Sequence, residues 1–404
     1  MGITSLPSSM RMSPEVMKQN REAVIAEEIG RARVLTLNRP KHLNFISEKM
    51  IKMLGQKLEK HEKDDNADFV ILKGAGRTFS AGGDLSVIYN VRNTWDGCLE
   101  GVYRLYWLCY HIQTYKKPQI ALVHGMSTGG GVGLMVPMKL RVVTEKAFCS
   151  TPEANLGYHP DCGLSYILSR LPGRLGEYLA LTGATLRGEE VVAAGLATHF
   201  VPSQKLFQLE KRLLSTNNGE EDTIRSVIDE FSTNVHIHER SVLNKLSIID
   251  DCFSRESVEE ILDSVEAEAG KKGNDWIIPA LKSLKKASPV GLKMTLRSIR
   301  EGRIQTVSEC LRREFRMTIN TLRTIISNDF YEGIRAAIID KDKSPKWNPS
   351  TLDKVNDEQL DLIFKPFEEH DLELQVPMKE YECRWEGKYE DSGYCLRTNS
   401  NMRY

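Results

Sequence analysis

No apolar run in this 404-residue chain reaches the roughly 18–20 residues that a membrane-spanning helix needs. Cysteine is sparse: eight are scattered along the chain with no CxxC pair, which excludes a disulfide scaffold and fits reduced thiols. Neither sign of charge prevails. Lys plus Arg is 55 and Asp plus Glu is 55, so the chain exerts no overall pull on nucleic acid beyond local patches. Internal repeats and low-complexity segments are also missing. Residues 1–20 hold few cations, chiefly Arg11 and Lys18, and no apolar core for secretion; they read as a flexible arm rather than a targeting segment. Gly2 is followed by Leu6 where a myristoylation signal has Ser or Thr.

What the chain does have is two glycine-rich turns followed by two acids. Ser80-Ala81-Gly82-Gly83-Asp84 and Thr128-Gly129-Gly130-Gly131-Val132-Gly133 each come shortly after an apolar strand-like run, Phe69-Val70-Ile71-Leu72 and Ile120-Ala121-Leu122-Val123. Pro152-Glu153 and Pro160-Asp161 follow. Glycines at such turns let backbone approach a ligand closely and direct N–H groups at it. Two convergent N–H donors are what a developing oxyanion requires, and a carboxylate some twenty residues later supplies a base or a nucleophile.

The first half alternates strands and helices. Ala23–Glu27 and Arg33–Asn38 read as paired strands around Gly30. Ser47–Lys63 reads as an amphipathic helix capped by Ser47, with Met50, Ile51, Leu54 and Leu58 on one face. Strands at Asp68–Lys73 and Pro118–His124 then lead into the glycine turns. This repetition predicts an α/β fold with a mainly parallel sheet over 21–202. Strands nearly vanish after 203. Helices are expected at 203–215, 222–231, 241–252, 257–268, 275–287 and 306–326, giving a helical region over 203–365 and an extension over 366–404. Thr216–Glu221 reads as a solvated loop.

Six segments in matching order resemble the crotonase (enoyl-CoA hydratase/isomerase) superfamily and, within it, the 3-hydroxyisobutyryl-CoA hydrolases. Leu37–Asn44 is similar to the superfamily's first signature on the coenzyme A side. Thr78–Asp84 and His124–Gly133 are similar to its oxyanion-hole segments. Leu179–Gly183, Ala194–His199 and Asp340–Trp347 are similar to hydrolase-branch segments. The resemblance spans about residues 22–365. Beyond it, Arg384-Trp385-Glu386-Gly387 and Ser392-Gly393-Tyr394 resemble extensions of the plant hydrolase-like branch. It implies a β-superhelix core, which periodicity alone does not.

The resemblance makes the Gly83 and Gly130 N–H groups the oxyanion donors and Glu153 the catalytic carboxylate, as base or as nucleophile. Asp161 becomes the second acid, orienting water or a substrate hydroxyl; the alternative is a helix cap. Gly82, Asp84, Gly129, Leu105, His159, Lys41 and Asn44 are the expected substrate-binding residues, and Arg77 is a further cation on the coenzyme A side. Hydratases of the superfamily carry a second Glu where Gly133 stands, so two-carboxylate hydration is disfavoured. Three departures bear on the substrate. Leu105 stands near a substrate-lining Glu of the hydrolases, His159 replaces an aromatic, and Cys162-Gly163-Leu164-Ser165 replaces a glycine-richer run, with Leu164 able to narrow the acyl pocket.

Other features read as bland. His236 and His238 lack further ligands for a metal, His124 reads as packed, and Lys282-Ser283-Leu284-Lys285-Lys286 reads as a solvated helix face, with coenzyme A phosphates as its alternative. No cofactor is expected beyond the coenzyme A carried by the substrate. The expected partner is an acyl-CoA, with no membrane and, unless the chain is a scaffold subunit, no nucleic acid; homo-oligomerisation stays open. The resemblance implies mitochondria, with peroxisomes or cytosol as alternatives. The leading expectation is hydrolysis of 3-hydroxyisobutyryl-CoA in valine breakdown. An enoyl-CoA hydratase or isomerase comes second, and a non-catalytic subunit of a mitochondrial assembly third.

Overall fold

The central strands carry apolar side chains at nearly every position because both of their faces are covered. In the computed structural model, which describes residues 22–94, 97–368 and 372–377, β1 (Val24–Ile29) and β2 (Ala32–Leu37) form an antiparallel pair. Strands β3 (Phe69–Gly74), β5 (Gln119–Val123), β7 (Leu140–Val143) and β10 (His199–Phe200) extend it in parallel, in the order β1-β2-β3-β5-β7-β10. Alternate residues divide between two cores. Val34, Phe69, Ile71, Ile120 and Val142 pack on the helices Ser203–Leu214 and Glu221–Asp229, through Leu209, Leu213 and Ile224. Leu35, Leu37, Val70, Leu72 and Val123 face the opposite core.

A second, small sheet was not read from the sequence. It joins β4 (Thr78–Ser80), β6 (Met126–Thr128) and β8 (Phe148–Ser150) in parallel, with β9 (Leu186–Arg187) antiparallel at its edge. Each repeat thus steps from the large sheet to the small one before its helix, β3 to β4, β5 to β6 and β7 to β8, so the chain winds forward as the superhelix the resemblance implied. The glycine turns sit where the chain leaves β4 and β6.

The expected helix after Ser47 runs Glu48–Lys63, with Ser47 Oγ accepting from Met50 N at 3.3 Å and Met50, Ile51, Leu54 and Leu58 buried. The C-terminal helices form close to where patterning placed them; Val307–Leu322, for example, starts with a Thr306/Glu309 capping box. Three helices of this region were missed, Pro289–Gly302, Asp329–Ile334 and Asp357–Phe364; in the first, Ser288-Pro289 and two glycines resemble loop chemistry. Pro289 sits in the first turn, where its missing N–H costs nothing, and Ser288 caps the helix by accepting from Gly291 N at 3.0 Å. The main core draws residues from both sides of residue 203, from Ala23 to Val376. The pair of helices nearest that residue covers one face of the large sheet.

Two expectations, the arm at 1–20 and the tail motifs at Arg384–Gly387 and Ser392–Tyr394, lie outside the described residues. Of the extension, Leu372, Leu374 and Val376 are buried against the rest of the chain.

Candidate active site

The first glycine turn is held by residues far from it in sequence. Asn44 is fully buried, accepts from Arg39 N at 2.8 Å and donates to Ala75 O and Thr78 O at 3.0 and 2.7 Å. Ser80 Oγ donates to Asn44 O at 2.9 Å and accepts from Gly82 N at 3.3 Å. Ile46 N donates to Gly82 O and Asp84 N to Ile46 O. At the second turn Gly129 N donates to Ser150 O, while Val132 N and Gly133 N donate to Gly129 O. Gly130 opens the Gly130–Met135 helix, where an N–H has no partner within the helix. Among the described residues, the Gly83 and Gly130 N–H groups donate to nothing. The two turns touch: a Cβ placed on Gly82 would stand 2.8 Å from Thr128 O and 3.4 Å from Gly130 N.

Gly82, Gly83, Gly129 and Gly130 line one cavity of about 130 Å³. Its walls are mainly apolar, with Ile46, Leu85, Ile88, Val102, Leu105, Leu322 and Phe330, and its ionisable side chains are Glu153, Asp161, Tyr158 and Cys162.

Glu153 starts the single turn Glu153–Leu156 just after β8 and is 7% exposed. Its Oε2 is buried with no hydrogen-bond partner. Burial, then the charge of Asp161, holds its pKa well above the usual carboxylate range. Its other oxygen abuts Gly129, which adopts φ 54° and ψ −124°; a Cβ on Gly129 would lie 2.6 Å from Glu153 Oε1. Gly129→Ala is therefore expected to displace the carboxylate and lower turnover by about 10²-fold, the size expected for losing a positioned base. It also places a side chain at a backbone conformation costing about 1–3 kcal/mol. Initial rates and a melting curve on the variant check both effects.

Asp161 is partly buried and does not cap the following helix Leu164–Leu168, whose cap residue is Gly163. Instead Asp161 Oδ2 lies 3.3 Å from the Tyr158 hydroxyl. Burial pushes its pKa up to about 6, against the hydrogen bonds offered by Cys162 and Tyr158. Behind Tyr158 stands a cluster that sequence reasoning missed. Thr318 Oγ1 is 2.6 Å from the Tyr158 hydroxyl, 2.8 Å from that of Tyr106 and 3.2 Å from His159 Nε2. One turn earlier on the same helix, fully buried Glu314 accepts from Gly163 N at 2.6 Å and Ser165 N at 2.9 Å, clamping the turn after Asp161; burial raises its pKa to about 7. The available signal was polar Glu314 and Thr318 at i, i+4 within the buried stripe of Leu311, Phe315 and Ile319.

Several expected residues fall elsewhere. Asp84 turns from the cavity to Arg39, 3.2 Å away, and Asn44 braces the turn as described. Lys41 and Arg77 are exposed and outside the cavity wall. His159 is buried one layer behind the wall, whereas Leu105 lines it. Leu164 packs into the core without narrowing the cavity; Cys162 is the wall residue of that run. His124 is 3.0 Å from Thr144 Oγ1, His236 and His238 are exposed, and Lys285 pairs with Glu266 at 2.7 Å.

A profile of the enoyl-CoA hydratase/isomerase family matches residues 32–364. The chain is 58% identical over 383 residues to "3-hydroxyisobutyryl-CoA hydrolase-like protein 5" of Arabidopsis thaliana, covering 95% of this chain and 99% of that one. It is 40% identical to the human "3-hydroxyisobutyryl-CoA hydrolase, mitochondrial", covering 87% and 91%. It is also 40% identical to the "Small ribosomal subunit protein mS47" of Arabidopsis thaliana, covering 89% and 90%. Among solved structures, a carnitinyl-CoA dehydratase from Mycobacterium thermoresistibile superposes with a TM-score of 0.80 at 30% identity, over 89% of this chain and 100% of that one. An enoyl-CoA hydratase from Rhodobacter sphaeroides gives 0.77, also at 30% identity, over 88% and 100%. The nested sheets, the paired glycine turns and these likenesses agree: the chain belongs to the enoyl-CoA hydratase/isomerase family, in its 3-hydroxyisobutyryl-CoA hydrolase-like branch.

Proposed function

We propose that this chain hydrolyses acyl-CoA thioesters, with 3-hydroxyisobutyryl-CoA or a related short 3-hydroxyacyl-CoA as substrate. The observation that carries the reading is the pairing, across one small cavity, of two unengaged backbone N–H groups with a buried carboxylate, one oxygen of which lacks a partner. The thioester oxygen sits between the Gly83 and Gly130 N–H groups, which stabilise the negative charge as it develops. Glu153 takes a proton from water that adds to the carbonyl, or adds itself to give an anhydride that water then opens. Either way the C–S bond breaks, coenzyme A leaves as thiolate, and acid plus thiol result. The mitochondrial setting in the human relative's name supports the same location here.

Both superposing structures bear names of enzymes that act on carbon–carbon double bonds. Against that chemistry stands Gly133. A Cβ there would fall 2.6 Å from Cys162 Cβ and 3.0 Å from Cys162 O, so the place of a second acid is already filled by protein. Offered crotonyl-CoA, the protein is expected to give negligible hydration, while a short 3-hydroxyacyl-CoA releases free thiol. A spectrophotometric panel for thiol release and loss of the enoyl chromophore checks this. Efficient hydration without thiol would overturn the reading. The relative named as a ribosomal subunit supplies the other outcome: silence toward every acyl-CoA, with co-migration in a large particle, would assign a scaffold role.

A further inference from the structure

We infer that Leu322 is a specificity-determining residue: it ends the acyl cavity, divides it from a second cavity of about 210 Å³, and so confines the substrate to a short acyl chain. The inference rests on the first cavity being the acyl site of the proposed thioesterase. Two neighbouring helices frame both cavities. On Leu99–Gln113, Val102 and Leu105 line the acyl cavity, while Leu99, three residues before Val102 and so on the same face, lines the second. On Val307–Leu322, Thr318 lines the first cavity and Ile319 the second. These helices pack on each other, with Phe315 set edge-on against Tyr103 and Tyr106. The step from the first cavity to the second runs toward the start of one helix and the end of the other. Among the described residues, Leu322 alone lines both cavities.

The partition is pinned in place. Leu322 closes its helix, and the hydroxyl of Tyr331, a residue of the second cavity's wall, donates to Leu322 O at 2.9 Å. Arg323 N donates back to Ile319 O at 2.9 Å, and Thr324 then turns the chain with φ 54°. The Leu322 side chain packs against the main core on one side and the cluster of Tyr158, Phe330 and Tyr331 on the other. The second cavity is larger than the acyl cavity of about 130 Å³, so one side chain sets the limit on chain length, and not want of space behind it. Val91, Leu99 and Ile319 give that space an apolar lining, into which added methylenes would leave water. Arg92, Asn93 and Arg323 line it as well, so the apolar share suits a few added carbons and not a long fatty chain.

The test is a chain-length series on the full chain, read by turnover and by binding. Straight 3-hydroxyacyl-CoA thioesters of four, six and eight carbons give kcat/KM. S-butyl-, S-hexyl- and S-octyl-CoA thioethers, which cannot be hydrolysed, give Kd. A methylene that finds a pocket is worth about 10–200-fold, so wild type, which offers none, is expected to lose at least about tenfold in kcat/KM between four carbons and eight. In Leu322→Ala that loss disappears, and the eight-to-four ratio rises at least about tenfold. Leu322→Val, the milder truncation, moves the ratio the same way. Cys98→Phe, added to Leu322→Ala to fill the second cavity, restores the wild-type cut-off, which a general loosening of the site would not do. A wild type indifferent to chain length overturns the inference. So does a folded Leu322→Ala or Leu322→Val with the wild-type cut-off, or a double variant that still takes long chains. Thioethers bound with the Leu322-dependent limit, while no thioester is cleaved, would remove the thioesterase reading and leave this inference standing.

Discussion

Glu153→Gln is expected to lower thioester turnover by at least about 10²-fold, the contribution of a positioned base. Wild-type-like turnover would remove Glu153 from the mechanism. The same variant carries a second, opposite signature. A carboxyl whose native pKa is raised above its unfolded value gives up stability as pH rises from the unfolded value to the native one. Glu153 is in that position, raised by burial and by Asp161. Glutamine cannot ionise, so the variant melts higher than wild type at neutral pH, and the advantage fades below the ordinary carboxylate range. Damage to the fold would lower both quantities together. Melting curves across pH beside initial rates therefore separate lost chemistry from lost structure, and the Glu153-dependent rise of turnover with pH disappears as well.

Gly130→Pro is expected to abolish turnover, since the substitution deletes the N–H proposed to hold the oxyanion; losing one such donor costs about 10²–10³-fold. Proline is tolerated at the first position of a helix, which is where Gly130 stands in Gly130–Met135. The ring still has to fit beside Ile46 and Cys162, whose side chains would lie 3.3 and 3.4 Å from a Cβ. Circular dichroism must show the native helix content before the rate is read. A folded variant with full activity would place the oxyanion hole elsewhere.

The glycine turns, the strands before them and the Ser47 cap were legible because each is fixed by chemistry within a few residues. The small sheet was not, since its strands are two or three residues long and leave no period to detect. Asn44 and Asp84 sit in the resembling segments, yet their side chains are claimed by Thr78 and Arg39, partners that no spacing rule exposes. Thr318 reaches His159 and Tyr158 across about 160 positions of chain. The site's polar backing is thus a property of the folded helix layer. The Pro289–Gly302 helix was readable by its Ser288 cap and first-turn proline, but local turn chemistry outweighed the pattern behind it.

The helix bearing Glu314 and Thr318 presents a different stripe to the chain's own last described residues. Ser308 donates to Pro377 O at 2.7 Å, Arg312 to Val376 O at 2.6 Å, and Arg316 pairs with Glu373 at 2.8 Å. Positions 308, 312 and 316 are one helical turn apart, and their partners descend in sequence as they ascend, so the segment runs antiparallel down the helix like a splint. Cutting the chain before Leu372 would uncover the groove that Leu374 and Val376 fill and release three polar anchors from the outer side of the same rod. Proteolytic trimming near that point would therefore loosen the helix that carries Thr318 and Leu322 into the cavity wall, although the 372–377 segment itself forms no part of that wall.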